Sequence, residues 1–259
     1  MTDTTQKYHH DYPYRLRLQH PDFAELRIER RGRWFRIDAA ELPEESEVVV
    51  LTAPSTTRVR ATLAALRAGR RLSVVAPEPL ATWIAGQGAV DLVGPVVDGL
   101  TVRFIPYTAP RVGVPMAHMA RATIAGARPL AALRRVAEQR RLPAGGPHAV
   151  EITFEDGARL LHLDLALHAA TPSAWVDEVL AAHGSPEWLV VGLPWGETDA
   201  VARLAPRFGA KRVLVTELVN GERRELGLPT ELVTPLRDRL HAGGVEAHVF
   251  ATQTSYRFE

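Results

Sequence analysis

Apolar and polar positions alternate with period two in Phe23-Ala24-Glu25-Leu26-Arg27-Ile28, pause at Arg31-Gly32, and alternate again in Trp34-Phe35-Arg36-Ile37. That pattern predicts a hairpin with one buried face. Val48-Val49-Val50-Leu51 is a continuous apolar run, as in a strand covered on both sides. From Thr56 to Ala68 the apolar residues Val59, Leu63 and Leu66 recur at helical spacing, and Gly69 closes the helix. A buried strand over Leu72–Ala76 and a short helix over Leu80–Ile84 follow. Two short strands within Val93–Ile105, turning at Asp98-Gly99, end this half.

The second half repeats the theme. Glu151–Phe154 and Arg159–Leu163 flank the turn Asp156-Gly157, a second hairpin. A helix is expected at Ser173–Ala182 with Ser173 as its cap, then a strand at Trp188–Leu193 and a helix at Thr198–Phe208. A strand at Arg212–Thr216, a helix at Thr230–His241 and a strand at Val245–Phe250 complete the series. Each half thus runs hairpin, helix, strand, helix, strand. The fold class expected is α/β, a four-layer α/β/β/α sandwich, and the matching order of the halves suggests an internal duplication. A doubly wound sheet is the rival, and it explains two hairpins poorly. Residues 1–14 read as a flexible tail and 15–259 as one domain. Within it, 106–146 is an insertion rich in proline, alanine and arginine, with a helix expected around Leu130–Arg141.

Composition removes several chemistries. The 259 residues include no cysteine, which excludes disulfides, thiolate nucleophiles, thiolate zinc sites and iron–sulfur clusters. With 31 basic and 30 acidic residues the net charge is +1, which argues against a general polyanion binder. No segment reaches the roughly 18 unbroken apolar residues of a membrane span, and the polar start lacks a signal peptide's apolar region. No membrane association and a cytoplasmic location are expected. There is no Gly-x-Ser-x-Gly elbow. Asp177-Glu178, beside Trp175, reads as the solvent side of a helix.

The order of landmarks resembles the metallo-β-lactamase superfamily, on the branch similar to L-ascorbate-6-phosphate lactonase, over roughly Leu16–Phe250. His20–Glu29 resembles the family's "GHASFLIE" strand. Arg33–Asp38 resembles "KRILIDP", with Asp38 in the place of its aspartate. Glu47–Arg58 is similar to "ADVVLITHPHPDHL", Gly99–Pro106 to "GLTVTAVPA", and Thr153–Asp164 to the strand pair leading to "GDTG". Leu204–Thr216 is similar to "ARRLGAKRVIPMH". The resemblance implies one or two metal ions held through His-x-His-x-Asp-His. Here that stretch is Ala53-Pro54-Ser55-Thr56-Thr57-Arg58, with no metal ligand in it. Tyr107-Thr108-Ala109 replaces the histidine after Ile105-Pro106, and Glu217 replaces the last one. Only the bridging aspartate has a counterpart, Asp164. A hydrolytic zinc site needs about three protein ligands and an open position for water. The expectation is therefore a retained fold with its usual metal chemistry lost, and no cofactor.

Two sets of residues could still carry chemistry. His162, Asp164, His168 and Glu217 are candidates for a rearranged zinc or manganese site, and thus for a lactonase- or phosphoesterase-like hydrolase. Ser55, Thr56, Thr57 and Arg58, between a buried strand and a helix start, are candidates for an anion site. The plainer reading of that stretch is a threonine capping the helix. In the insertion, Arg121, Arg128, Arg134, Arg135, Arg140 and Arg141 face a single acid, Glu138. That face suits a protein partner or a phosphate backbone, but it lacks aromatics to stack on bases, which disfavours nucleic acid. The expected role is binding, scaffolding or regulation, with a small anionic ligand or a protein as partner. The alternatives are the rearranged metallohydrolase and an adaptor working through the arginine-rich insertion.

Overall fold

Fourteen strands are arranged in two seven-stranded sheets in the computed structural model of the chain, which describes residues 16–20, 25–30, 33–97, 99–109, 137–217, 230–250 and 254–258. The first half supplies β1 (Leu16–His20), β2 (Leu26–Arg30), β3 (Arg33–Ile37), β4 (Val48–Val50), β5 (Leu72–Val75) and β6 (Val90–Leu92). The second supplies β7 (Val96–Val97), β8 (Leu100–Pro106), β9 (His148–Phe154), β10 (Arg159–Asp164), β11 (Trp188–Gly192), β12 (Arg212–Thr216) and β13 (Ala247–Phe250). β14 (Thr254–Phe258) returns to the first sheet.

The strand orders are β14-β1-β2-β3-β4-β5-β6 and β7-β8-β9-β10-β11-β12-β13. They match position by position. In each sheet the first four strands pair antiparallel and the last four parallel. β14, contributed by the chain's end, stands to β1 as β7 stands to β8. The duplicated order legible in the sequence is thus a duplicated topology. Three strands, β1, β6 and β14, go beyond those that the sequence pattern predicts. These are short strands, and two of them, β6 and β14, lie at sheet edges, where alternation over a few residues is a weak signal.

The helices among the described residues are α1 (Thr56–Arg67), α2 (Leu80–Ala85), α3 (Ser173–His183), α4 (Thr198–Leu204), continued as a 3₁₀ turn over Ala205–Phe208, and α5 (Thr234–Ala242). Three expectations shift here. The Thr198–Phe208 helix tightens into the 3₁₀ turn at Pro206, whose missing N–H breaks the α ladder. The last helix begins at Thr234 rather than Thr230, with Pro235 in its first turn. Ser173 is the first helical residue rather than the cap, a position held by Pro172. Of the helix expected around Leu130–Arg141, residues 137–139 are helical and the part before them lies outside the described residues.

Three apolar clusters fill the spaces between layers. Leu18, Ile28, Phe35, Ile37 and Val50 of the first sheet meet Val102, Val150, Ile152, Leu160, Val190 and Phe250 of the second. Outside the first sheet, Val59, Ala65 and Leu66 of α1 and Leu80 and Ile84 of α2 pack on Val49, Leu51, Leu72 and Val74. Outside the second, Val176 and Val179 of α3, Val201 and Leu204 of α4, and Leu236 and Leu240 of α5 cover Leu161, Leu189, Val191, Val213 and Val215. The result is four layers, α/β/β/α. Along β10, Leu160 joins the inner cluster while Leu161 and Leu163 join the outer one, and the register with β11 shifts between His162 and Asp164.

Candidate functional site

β3 and β10 hold equivalent places in the two sheets, and each ends in a buried aspartate. Asp38 follows β3 and Asp164 closes β10; their φ angles are 50° and 52°. Left-handed backbone is uncommon outside glycine, and aspartate is one of the few residues that tolerate it. Asp38 is pinned on both sides. Its N–H donates to the Val50 carbonyl at 2.8 Å, while its Oδ1 accepts from the Thr52 N–H at 2.9 Å and its Oδ2 from the Thr52 hydroxyl at 2.5 Å. Thr52 lies just past β4, and its carbonyl accepts from the His148 N–H of β9 at 2.9 Å, a link between the two sheets.

Arg58, in the first turn of α1, reaches inward between the two carboxylates. One guanidinium nitrogen donates to Asp38 Oδ2 and, at 2.7 Å, to Thr52 Oγ1. The other donates to Asp164 Oδ2 at 2.6 Å. The Tyr107 hydroxyl, from the segment after β8, donates to the same Asp164 oxygen. The Arg58 side chain is 12% exposed and both carboxylates are 0% exposed.

Burial would weaken the guanidinium's hold on its proton, but Asp164 and Asp38 more than reverse this, so Arg58 is held well above its ordinary value and stays charged. Burial pushes the Asp38 carboxyl up, with Arg58 and Thr52 pulling the other way. Burial also works upward on Asp164, yet the Arg58 charge, then His162, outweigh it and hold this carboxyl below its usual range. Burial and the Asp164 charge raise the Tyr107 phenol well above its ordinary value, which keeps it a donor.

The remaining sequence candidates go to different places. His162 is fully buried two residues before Asp164, close enough to act on it electrostatically. His168 does not join them: its Nε2 donates to the Thr108 carbonyl at 2.8 Å and its Nδ1 accepts from the Ala170 N–H at 3.3 Å. Glu217 follows β12, half-buried. Among the described residues no three His, Asp or Glu side chains gather as metal ligands. The anion reading of Ser55–Arg58 is corrected on one point: Arg58 faces two carboxylates. The threonine-cap reading is corrected too. Ser55 is the cap position and makes no side-chain cap bond. Instead Gln139 Oε1 accepts from the Thr56 N–H at 3.1 Å while its Nε2 donates to the Pro54 carbonyl at 2.6 Å. Arg121, Arg128, Arg134 and Arg135 lie outside the described residues; Arg140 and Arg141 are exposed.

Beside Tyr107 a cleft of about 290 Å³ opens between the end of β8 and the start of α3, lined by Pro106, Thr108, Ala166, Thr171, Pro172 and Trp175 as well as the tyrosine. Trp175 Nε1 donates to the Pro106 carbonyl at 3.1 Å. No helix among the described residues is long and apolar enough to cross a membrane.

Several solved structures share this architecture. A metallo hydrolase of the hyperthermophilic archaeon Ignicoccus hospitalis is 11% identical, with a TM-score of 0.63 over 95% of this chain and 99% of its own. An isothiocyanate hydrolase from Delia radicum gut bacteria is 16% identical, with a TM-score of 0.59 over 94% and 99%. A possible metal-dependent hydrolase of Veillonella parvula is 12% identical, with a TM-score of 0.57 over 93% and 98%. The chain shares the fold of these three hydrolases. No protein-family model matches the sequence, and no curated protein matches it.

In the metallo-β-lactamase pattern that the sequence resembles, His-x-His-x-Asp-His read onto Ala53–Arg58 puts Ala53, Ser55, Thr57 and Arg58 at the four ligand positions. Arg58 therefore stands where the motif has its final histidine, and Tyr107 where the next is expected. Both touch Asp164, the one matching aspartate. These residues do not fit a metal ion: a guanidinium repels a cation and offers no lone pair, and Ala53 offers no donor. Asp38, Thr52 and Tyr107 were not among the sequence candidates for a site. The available signal was positional, since Asp38 and Tyr107 both stand at landmarks of the family pattern.

Proposed function

We propose that this chain is a pseudoenzyme on the metallo-β-lactamase fold, a cytoplasmic protein whose work is binding, scaffolding or regulation rather than metal-dependent hydrolysis. The observation that carries this reading is the donor set. The motif positions hold Ala53, Ser55, Thr57 and Arg58, and Arg58 directs a permanent positive charge at the carboxylate a metal would use. A hydrolytic site must keep an open position for activated water. The Tyr107 hydroxyl and the guanidinium instead fill the space beside Asp164 Oδ2. The uncharged cleft next to Tyr107 supports a binding role for a small molecule, and its volume lies near the lower end of the range of about 300–1,000 Å³ for such sites.

The test is elemental analysis of untagged protein, followed by thermal denaturation with added Zn²⁺ or Mn²⁺. We expect no stoichiometric metal as purified and an unchanged melting temperature on addition. One tightly bound ion per chain would overturn the reading.

A further inference from the structure

The aspartates are placed as a pair. They end strands at matching positions of the two duplicated sheets, share a left-handed backbone angle of about 50°, and are fully buried. A buried carboxylate without a compensating charge is strongly disfavoured. Here two such groups converge on one cation brought from a third element, α1. An ordinary buried ion pair sets one carboxylate against one base. This arrangement brings carboxylates from two different sheets onto one guanidinium, so that the cation is enclosed from both sides. The atoms that accept from the guanidinium are oxygens, of both carboxylates and of the Thr52 hydroxyl, and the Tyr107 hydroxyl donates to Asp164 beside them. Asp164 also retains capacity, because its buried Oδ1 has no hydrogen-bond partner among the described residues.

We propose that Asp38 and Asp164 form a cation-binding site whose resident cation is the chain's own Arg58 guanidinium, and that an external cation takes that place once the side chain is shortened. This rests on the reading of the chain as metal-independent and deepens it. The site is not erased but occupied from within, so the fold keeps its central charge balance without any supply of metal. A guanidinium suits the task because its planar fork can meet two carboxylates at once and does not lose its charge near neutral pH. Carboxylate and hydroxyl oxygens suit a hard ion, and Mn²⁺ is the divalent probe.

The experiment compares wild type, R58A and R58A/D164N by thermal denaturation in the presence of millimolar methylguanidinium or Mn²⁺. R58A is expected to melt below wild type and to recover by about 4 °C or more with at least one of the two cations. Wild type, whose site is filled, and R58A/D164N, which lacks one carboxylate, are expected not to respond. If R58A does not fold, R58Q takes its place: its amide can still donate to Asp38 but leaves Asp164 without a cation, and the same outcomes apply. A folded variant that responds to neither cation overturns the proposal, as does an equal response in R58A/D164N or wild type. Stoichiometric metal in wild type would instead overturn the metal-independent reading itself, so the two failures are told apart.

Discussion

At the scale of single residues, Arg58 is the pivot, and Asp164 shows what depends on it. Changing Asp164 to Asn removes one of the two charges that compensate the buried guanidinium. Breaking a buried pair from one side costs about 3–5 kcal/mol, far more than an exposed bridge such as Arg71 with Asp91 would contribute. D164N is therefore expected to lower the urea midpoint sharply at neutral pH. The pH dependence has a definite sign. Asp164 is depressed in the folded state, so its contribution is full above the ordinary carboxylate value of about 4 and is lost as pH falls through the lower folded value. Asp38 is raised, so its part runs the other way and partly offsets the loss. Glu25 adds to the acid sensitivity. Burial pushes its carboxyl up, but Arg36 and Arg27 outweigh this and hold it low. Denaturation curves below pH 4 should thus converge for wild type and D164N; a gap that stays constant with pH would contradict the assignment.

At the scale of elements, the turn leading into α1 sets where Arg58 points. The sequence put a helix start at Thr56, and that is where it is. It did not tell how the first turn would be satisfied. Helix ends leave backbone groups unpaired, and a side-chain oxygen usually comes from the cap residue itself. Here the partner is Gln139, 83 residues away in sequence, which also holds the Pro54 carbonyl. The end of the insertion is thereby fastened to the start of α1, and Leu142 packs against the α1 layer. We expect Q139A to cost about 1 kcal/mol, the usual size of a lost helix cap, measurable as a lowered melting temperature. An unchanged value would mean that Thr56 is capped in some other way. The loop from β3 to β4 is held by similar means. Arg36 donates to both oxygens of Glu25 and, at 2.9 Å, to Glu47, while the Ala40 N–H donates to Glu25 at 2.9 Å. That network fixes the chain on either side of Asp38.

At the scale of the whole molecule, the inner apolar cluster draws side chains from both sheets, and the Asp38–Arg58–Asp164 bridge crosses between the halves in the same region. Neither sheet can bury its inner face alone, so the halves should unfold together. Urea transitions followed by far-ultraviolet dichroism and by tryptophan fluorescence, which reads Trp34 in the first sheet and Trp188 in the second, are expected to coincide. Two separated transitions would show that each half is stable by itself. Much of this architecture was legible beforehand. Period-two alternation marked the hairpins, continuous apolar runs the parallel strands, and the repeated order of elements the duplication, because these signals depend on neighbours along the chain. The missing histidines between Leu51 and Val59 were equally plain in the sequence. What replaced them was not. Arg58 read as one of four candidates for an anion site at a helix start, since local sequence carries no record of charges 20 and 106 positions away. Only the packing of the two sheets brings Asp38 and Asp164 together around that guanidinium. The electrostatic demand of two buried carboxylates, rather than any local propensity, turns Arg58 inward.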